Sequence, residues 1–280
     1  MIAIKLMGGL GNQMFQYAIG RRFSLEYGVP LGLDLSFFQR RDMGPRFTYR
    51  DYDLDTFHIQ PDLVSPTGAK IHQISQPYFH YSPDVVATVS QLLNVGKHDV
   101  LLDGFWQTPK YFEGFESQIK QDFEFRNKID DVTEQHIVDL LGLIRSTNSV
   151  MLSIRRTDYL NNNHHGVMGN DYFEHGSKLI AKRVDNPKYF VFSDDHEWCV
   201  ANLKIKNAVF VDSSYSGERY EYKFQLMKEC KHFVISNSTF AWWPAWLSSS
   251  QDKQVIAPKQ WFTDPGINTT DLIPSDWIRI

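Results

Sequence analysis

The first 35 residues alternate between two hydrophobic periods. Ile2, Ala3, Ile4 and Leu6 form a short apolar run that stops at Gly8-Gly9. Met14, Phe15, Ala18, Ile19 and Phe23 then recur three and four apart, the spacing of one helix face. Gly28 and Pro30 end that stretch, as a glycine followed by a proline ends a helix. The pattern predicts a βαβ unit: strand 2–6, a turn from Gly8 to Asn12, helix 13–27 and strand 31–35. Residues 36–75 are polar without a period and are expected to be irregular, and residues 99–104 predict a further strand ahead of Phe105-Trp106-Gln107.

From residue 131 the alternation becomes regular. It predicts helices at 131–145, 171–183, 197–203, 220–230 and 239–247, and strands at 150–154, 189–192, 208–211, 233–236 and 255–258. Strands alternating with helices imply parallel sheets with right-handed crossovers. The expected fold is α/β, with two Rossmann-like domains, 1–145 and 146–280, facing a cleft.

Composition narrows the function classes. With 42% hydrophobic and 22% charged residues, the chain is neither disordered nor a coiled coil. A net charge of -4 offers no electrostatic footprint for nucleic acid. Cys199 and Cys230 make neither a disulfide framework nor a zinc set, which suits a reducing, cytoplasmic setting. Residues 2–7 are too short for a signal segment, and no run approaches the roughly 20 apolar residues of a membrane span. Peripheral contact with a membrane surface stays open.

The candidate chemistry sits where strands end. The strand at 150–154 runs into Arg155-Arg156-Thr157-Asp158-Tyr159. Two guanidiniums at the carboxyl end of an α/β strand call for an anion, and the planar fork of arginine suits phosphate. Asp158 is placed to orient an arginine, and the bland alternative is that Arg156 and Asp158 pair with each other or that Arg155 pairs with a distant carboxylate. Ser193-Asp194-Asp195 ends the next strand, as ligand or as helix cap. Ser236-Asn237-Ser238-Thr239 opens a helix and fits either a phosphate or a cap. Gly8-Gly9-Leu10-Gly11-Asn12-Gln13 is a strand-to-helix turn that suits an anion or sugar, or merely needs glycine. Asp51-Tyr52-Asp53 has the look of a metal-binding DxD, but it lacks an apolar strand before it and reads as a solvated face. His164-His165 reads as part of a mobile polar loop, and Trp242-Trp243 as core. No metal site is expected, and no pattern suggests covalent catalysis.

Together these segments resemble the α-1,2-fucosyltransferases of glycosyltransferase family 11. The likeness runs in order through Gly8 to Ala18, Gly104-Phe105-Trp106-Gln107 with Tyr111-Phe112, Phe192 to Asp195 with Glu197-Trp198, and Cys230-Lys231-His232 through Ser236 to Trp243. The resemblance implies a GT-B fold, GDP-fucose as co-substrate with no cofactor or metal, and inverting transfer to the 2-hydroxyl of a galactose-terminated acceptor. It implies an acceptor-side domain at 1–145 and a GDP-fucose domain at 146–280. By the same resemblance Arg155 meets the donor β-phosphate and Asn12 lies near the reacting centre. Gly9, Gly11, Arg156, Asp158, Asp194, Ser236, Asn237, Ser238 and Thr239 complete the donor set, and residues 36–75 and 161–170 become acceptor loops. Four positions depart from the family pattern: Ser153 stands for histidine, Thr157 and Pro244 for glycine, and Lys223 for an acidic residue. The rival readings are a glycosyltransferase using another nucleotide sugar and a non-catalytic carbohydrate-binding protein.

Overall fold

The computed structural model describes residues 1–40, 44, 48–59, 61–64, 71–77, 79–96, 99–160 and 162–280. The chain divides into two units, Met1–Arg126 with Ile267–Pro274, and Asn127–Gly266 with Ser275–Ile280.

The first unit runs β1 (Ile2–Lys5), α1 (Leu10–Tyr27), β2 (Leu31–Asp34), α2 (Ser36–Gln39), β3 (Asp62–Val64), β4 (Ile71–Ser75), α3 (Pro83–Val95), β5 (Asp99–Asp103) and α4 (Glu116–Asp122). Its strands lie parallel in the order β3-β2-β1-β5-β4. The expected apolar face of α1, from Met14 to Phe23, is fully buried. Gly20 lets that face close on the sheet, since a Cβ there would lie 2.4 Å from Ile4 Cγ1. Gly28 ends α1 in the left-handed region, its N–H bonded to Ser24 O.

The helix begins three residues earlier than expected. Gly9 O accepts the N–H groups of Asn12 and Gln13, so Gly11 and Asn12 belong to the first turn of α1 and not to a preceding turn. The stretch 36–75 is also more ordered than its composition suggested. It contains β3 and β4, edge strands that are largely exposed and so carry no apolar alternation to read. Residues 41–43, 45–47, 60 and 65–70 of that stretch lie outside the described residues. Helix α3 had no counterpart in the expectation, although Val85, Val89 and Leu93 are spaced four apart and buried. Ser82 caps it by accepting from Val85 N, and Gly96 ends it in the left-handed region.

The second unit runs α5 (Gln135–Ser146), β6 (Asn148–Ile154), α6 (Asn170–Ala181), β7 (Pro187–Ser193), α7 (His196–Asn202), β8 (Ala208–Val211), α8 (Glu221–Glu229), β9 (His232–Ile235), α9 (Thr239–Leu247), β10 (Val255–Ala257) and β11 (Ile278–Arg279). All six strands are parallel, in the order β11-β10-β9-β6-β7-β8. The core joins Val150, Leu152, Val191 and Val234 of the sheet to Phe173 and Ile180 of α6. Trp242 and Trp243 are fully buried in α9.

The division falls at residue 126 and not at 145. Gln225 of α8 accepts from Ile129 N and donates to Asn127 O, while α5 buries Ile137, Leu140, Leu141 and Ile144. Residues 267–274 return to the first unit through Asp271, which pairs with Lys110 and accepts from Tyr81 N and, at its carbonyl, from Thr108 Oγ1. Among the described residues no helix is long and apolar enough to cross a membrane.

Candidate active site

The sheet of the second unit contains one point where the chain reverses its direction of travel. In the second unit it builds β6, β7 and β8 to one side, then returns to the other side of β6 with β9. In the first unit it builds β1, β2 and β3, crosses to the far edge with β4 and returns inward with β5 beside β1. There β5 is inserted last, between β4 and β1, and among the described residues no strand of that sheet follows it, whereas in the second unit the connections leave β6 and β9 in opposite directions. The crevice that opens at their carboxyl ends is where open α/β sheets bind ligands.

In the second unit Arg155 follows the last residue of β6, and the register places Ile154 beside Ser193 and Ser153 beside Ile235. The sequence-predicted Arg155, Arg156, Asp158, Asp194 and Ser236 to Thr239 therefore all lie at one end of this sheet. Arg155 Nη2 donates to Asp158 Oδ2 at 2.6 Å, and Nη1 lies 3.2 Å from Asp194 Oδ2. Burial works against the Arg155 charge, but the Asp158 hydrogen bond and the Asp194 charge outweigh it and raise the pKa. The guanidinium is charged at every working pH.

Arg156 is held differently. Its guanidinium lies 3.6 Å from the Trp198 ring centre and donates to Asp195 Oδ2, a cation–π contact combined with an ion pair. Its side chain is 13% exposed, against 26% for Arg155, so Arg155 is the arginine better placed to meet a ligand. Asp194 accepts from Arg156 N, Thr157 N and Thr157 Oγ1, so its carboxylate shapes the loop as well as flanking Arg155. Asp195 also caps α7 through Trp198 N. Lys223, where an acidic residue was expected, donates to Ser193 O at 2.8 Å, and burial lowers its pKa.

Ser236 and Asn237 are fully buried. Asn237 Nδ2 donates to the carbonyls of His165 and Trp261, which makes this residue a staple between loops. Ser238 occupies the N-cap of α9 without a side-chain cap bond. Ser236 Oγ and Asn237 Oδ1 are buried with no hydrogen-bond partner among the described residues. Thr239 is the first residue of α9.

The histidine loop is packed, not loose. His165 stacks on Tyr159 at 4.6 Å and 8°, His164 packs on Phe262 at 4.6 Å, and Thr263 N donates to His164 O. Residue 161 lies outside the described residues. Burial, reinforced by the charge of His164 and opposed by that of Asp158, lowers the His165 pKa to about 4. The folded state therefore binds this proton less readily than the unfolded chain, whose histidine titrates near ~6.5. The contribution is complete above pH ~6.5 and is lost as pH falls through about 4. His165→Phe keeps the stack and removes the titration. Its melting temperature is expected to fall less than that of the wild type over this window, and parallel curves would refute the assignment.

In the first unit Gly8 has φ +77, and a Cβ there would come within 2.4 Å of Asn12 Nδ2. Gly9 is the N-cap of α1, and Gly11 is buried in its first turn. Gln13 and Gln16 are fully buried on the same helix. Gln16 accepts from Met7 N and donates to Gly104 O, tying the loop after β1 to the loop after β5. Gln13 donates to Gly8 O and Asp51 O and accepts from Asp53 N, so the DxD look-alike is held by its backbone. Asp51 is exposed, as a solvated face requires, but Leu54 just beyond it is buried. Gln107 Nε2 donates to Asn12 Oδ1 at 2.8 Å. Gln107 was not among the sequence-predicted site residues. Its signal was its place in Gly104-Phe105-Trp106-Gln107, immediately after a strand.

Residues 88–280 match the family model described as Glycosyl transferase family 11. An alpha-1,2-colitosyltransferase of Escherichia coli is 32% identical over 296 residues, covering 100% of this chain and 98% of that protein. A galactoside alpha-(1,2)-fucosyltransferase 1 of Mus musculus is 27% identical over 157 residues, 52% of this chain and 41% of that protein. Among solved structures, a mutant of Arabidopsis thaliana FUT1 in complex with GDP superimposes with a TM-score of 0.55 at 10% identity, over 98% of this chain and 74% of that one. The two parallel-sheet units have the GT-B fold.

Proposed function

The chain belongs to glycosyl transferase family 11, and from that premise we propose that it transfers L-fucose from GDP-fucose to the 2-hydroxyl of a galactose-terminated acceptor, with inversion. The observation that carries this reading is Arg155, a charged and partly exposed guanidinium beside the β6–β9 crevice, fixed from two sides by Asp158 and Asp194. In the reaction the acceptor hydroxyl attacks the anomeric carbon opposite the bond to phosphate. As that bond breaks, negative charge grows on the β-phosphate oxygen, GDP departs, and the proton of the acceptor hydroxyl is released to solvent. A guanidinium already held in place stabilises this charge more in the transition state than in the ground state. Arg156, locked against Trp198 and Asp195, gives the loop its shape. Asn12 has a positioning role on the acceptor side, since a carboxamide does not take a proton at neutral pH. The diphosphate charge is met by side chains and by the N-terminus of α9 and not by a metal.

A second reading is favoured by the full-length likeness to the colitosyltransferase. Colitose is fucose without its 3-hydroxyl, so both sugars would enter by the same reaction and differ at one group. The test uses the purified full chain with lactose as acceptor, measuring GDP release and disaccharide formation from GDP-fucose, GDP-colitose, GDP-mannose and a UDP-sugar. Transfer from GDP-fucose, unchanged by EDTA, is the expected result. Preference for GDP-colitose would establish the second reading. Loss with EDTA and recovery with Mn²⁺ would overturn the metal-free mechanism, and sugar binding without turnover would overturn both transferase readings.

A further inference from the structure

The carboxamide of Asn12 is part of a wider arrangement beyond the carboxyl ends of β1 and β5. Gln107 is 6% exposed and lies 95 positions away in sequence, yet its Nε2 donates to Asn12 Oδ1 at 2.8 Å. On its other side the Asn12 amide nitrogen packs over Gly8, where a Cβ would stand 2.4 Å away. The loop that delivers Gln107 is itself secured. Gln76 Oε1 accepts from both Phe105 N and Trp106 N, and Gln16 Nε2 donates to Gly104 O. Trp106 adopts φ 55, a left-handed backbone for a fully buried tryptophan. Backbone strain of this kind persists where surrounding structure imposes it and is concentrated at functional sites. Core packing alone does not account for the last step, because a buried glutamine directed at one partly exposed amide adds specificity and little burial.

We infer that Gln107 is a positioning residue for the transfer reaction: it sets which way round the Asn12 amide is held at the carboxyl ends of β1 and β5. The inference rests on the transferase reading above, in which Asn12 positions the acceptor. A glutamine offers both donor and acceptor atoms and can present its NH2 to the Asn12 oxygen. That fixes the amide nitrogen of Asn12 on the side away from Gln107. Gln107→Glu keeps shape and volume but can only accept when ionised, so Asn12 must turn its NH2 toward it.

The test is a double-mutant cycle on the full chain, reading kcat and acceptor KM with saturating donor. Gln107→Ala and Gln107→Glu are each expected to lower kcat about 10-fold to 100-fold, the scale of a misplaced reacting group. The affinity for GDP by titration should stay within about 2-fold of wild type, because on this reading Gln107 acts through Asn12 and not through the diphosphate contacts. Asn12→Ala combined with Gln107→Ala should be no slower than Asn12→Ala alone. Additive losses in kcat would make Gln107 a residue acting independently of Asn12 and overturn the inference. So would a folded Gln107→Glu enzyme with wild-type kcat. If Gln107→Ala does not fold, the isosteric Gln107→Glu and its cycle with Asn12→Ala decide. A wild-type chain that transfers no sugar from any donor overturns the transferase reading and this inference together, whereas an active wild type with additive losses overturns this inference alone.

Discussion

Arg155→Ala is expected to lower kcat by about 10²- to 10³-fold, the cost typical of removing one preorganised donor from a developing oxyanion, about 2.7–4 kcal/mol. The acceptor KM should change little, because the lost interaction strengthens only as the leaving phosphate gains charge. Asp158 loses its Arg155 partner, while Asp194 keeps Arg156 N, Thr157 N and Thr157 Oγ1. The loop therefore retains its anchor and the variant should remain folded, which far-ultraviolet dichroism and a melting curve would verify. Arg155→Lys should recover only a small part of the loss. It keeps the charge but cannot reach two carboxylates and a phosphate with one rigid fork. A folded Arg155→Ala enzyme with near wild-type turnover would sink the assignment.

Asp194→Ala carries the second-largest expected effect, and it acts on stability and rate together. Its carboxylate accepts from Arg156 N, Thr157 N and Thr157 Oγ1 and lies 3.2 Å from Arg155 Nη1. Removing it leaves two amide donors without their acceptor and releases one side of Arg155. A loss of about 1–3 kcal/mol in unfolding free energy follows from hydrogen bonds to a charged group. A fall in kcat on the order of 10²-fold follows from a misplaced Arg155. Urea unfolding and steady-state kinetics measure the two. Had Asp194 acted only by touching the donor, KM for donor would rise with no change in stability, and that result would refute the anchoring role. Asp194→Asn should fall between, since it keeps an oxygen for one amide and turns a nitrogen toward the other.

The parts of the fold legible in sequence were those whose signal is local. The face of α1 was readable because Met14 to Phe23 repeat at helical spacing, and its end was readable at Gly28. Strand β8 and helix α9 have the bounds their patterns predict. β3 and β4 were illegible because an exposed edge strand needs no apolar alternation, and its backbone pairs with residues far away. The true start of α1 at Leu10 was hidden because Gly9, Gly11 and Asn12 weaken any helix propensity, and the backbone acceptor at Gly9 overrides it. The histidine loop read as mobile because asparagines dominate it, whereas Phe262, Tyr159 and Asn237 pack it from elsewhere in the chain.

By itself the sequence determined that two parallel α/β sheets form, and that arginines, acidic residues and small polar residues stand at their carboxyl ends. Strand periodicity and the residues that stop a strand are properties of neighbouring positions, so they need no tertiary context. Only the tertiary structure decided which of these groups meet. It paired Arg155 with Asp158 and Asp194, set Arg156 against Asp195 and Trp198, turned Asn237 into a staple and brought Gln107 to Asn12. The physical reason is separation along the chain. Asp194 lies 38 positions from Arg156, and Gln107 lies 95 from Asn12. Contacts of that range are set by strand order and register, which place the strand ends, and not by any pattern that a short window of sequence contains.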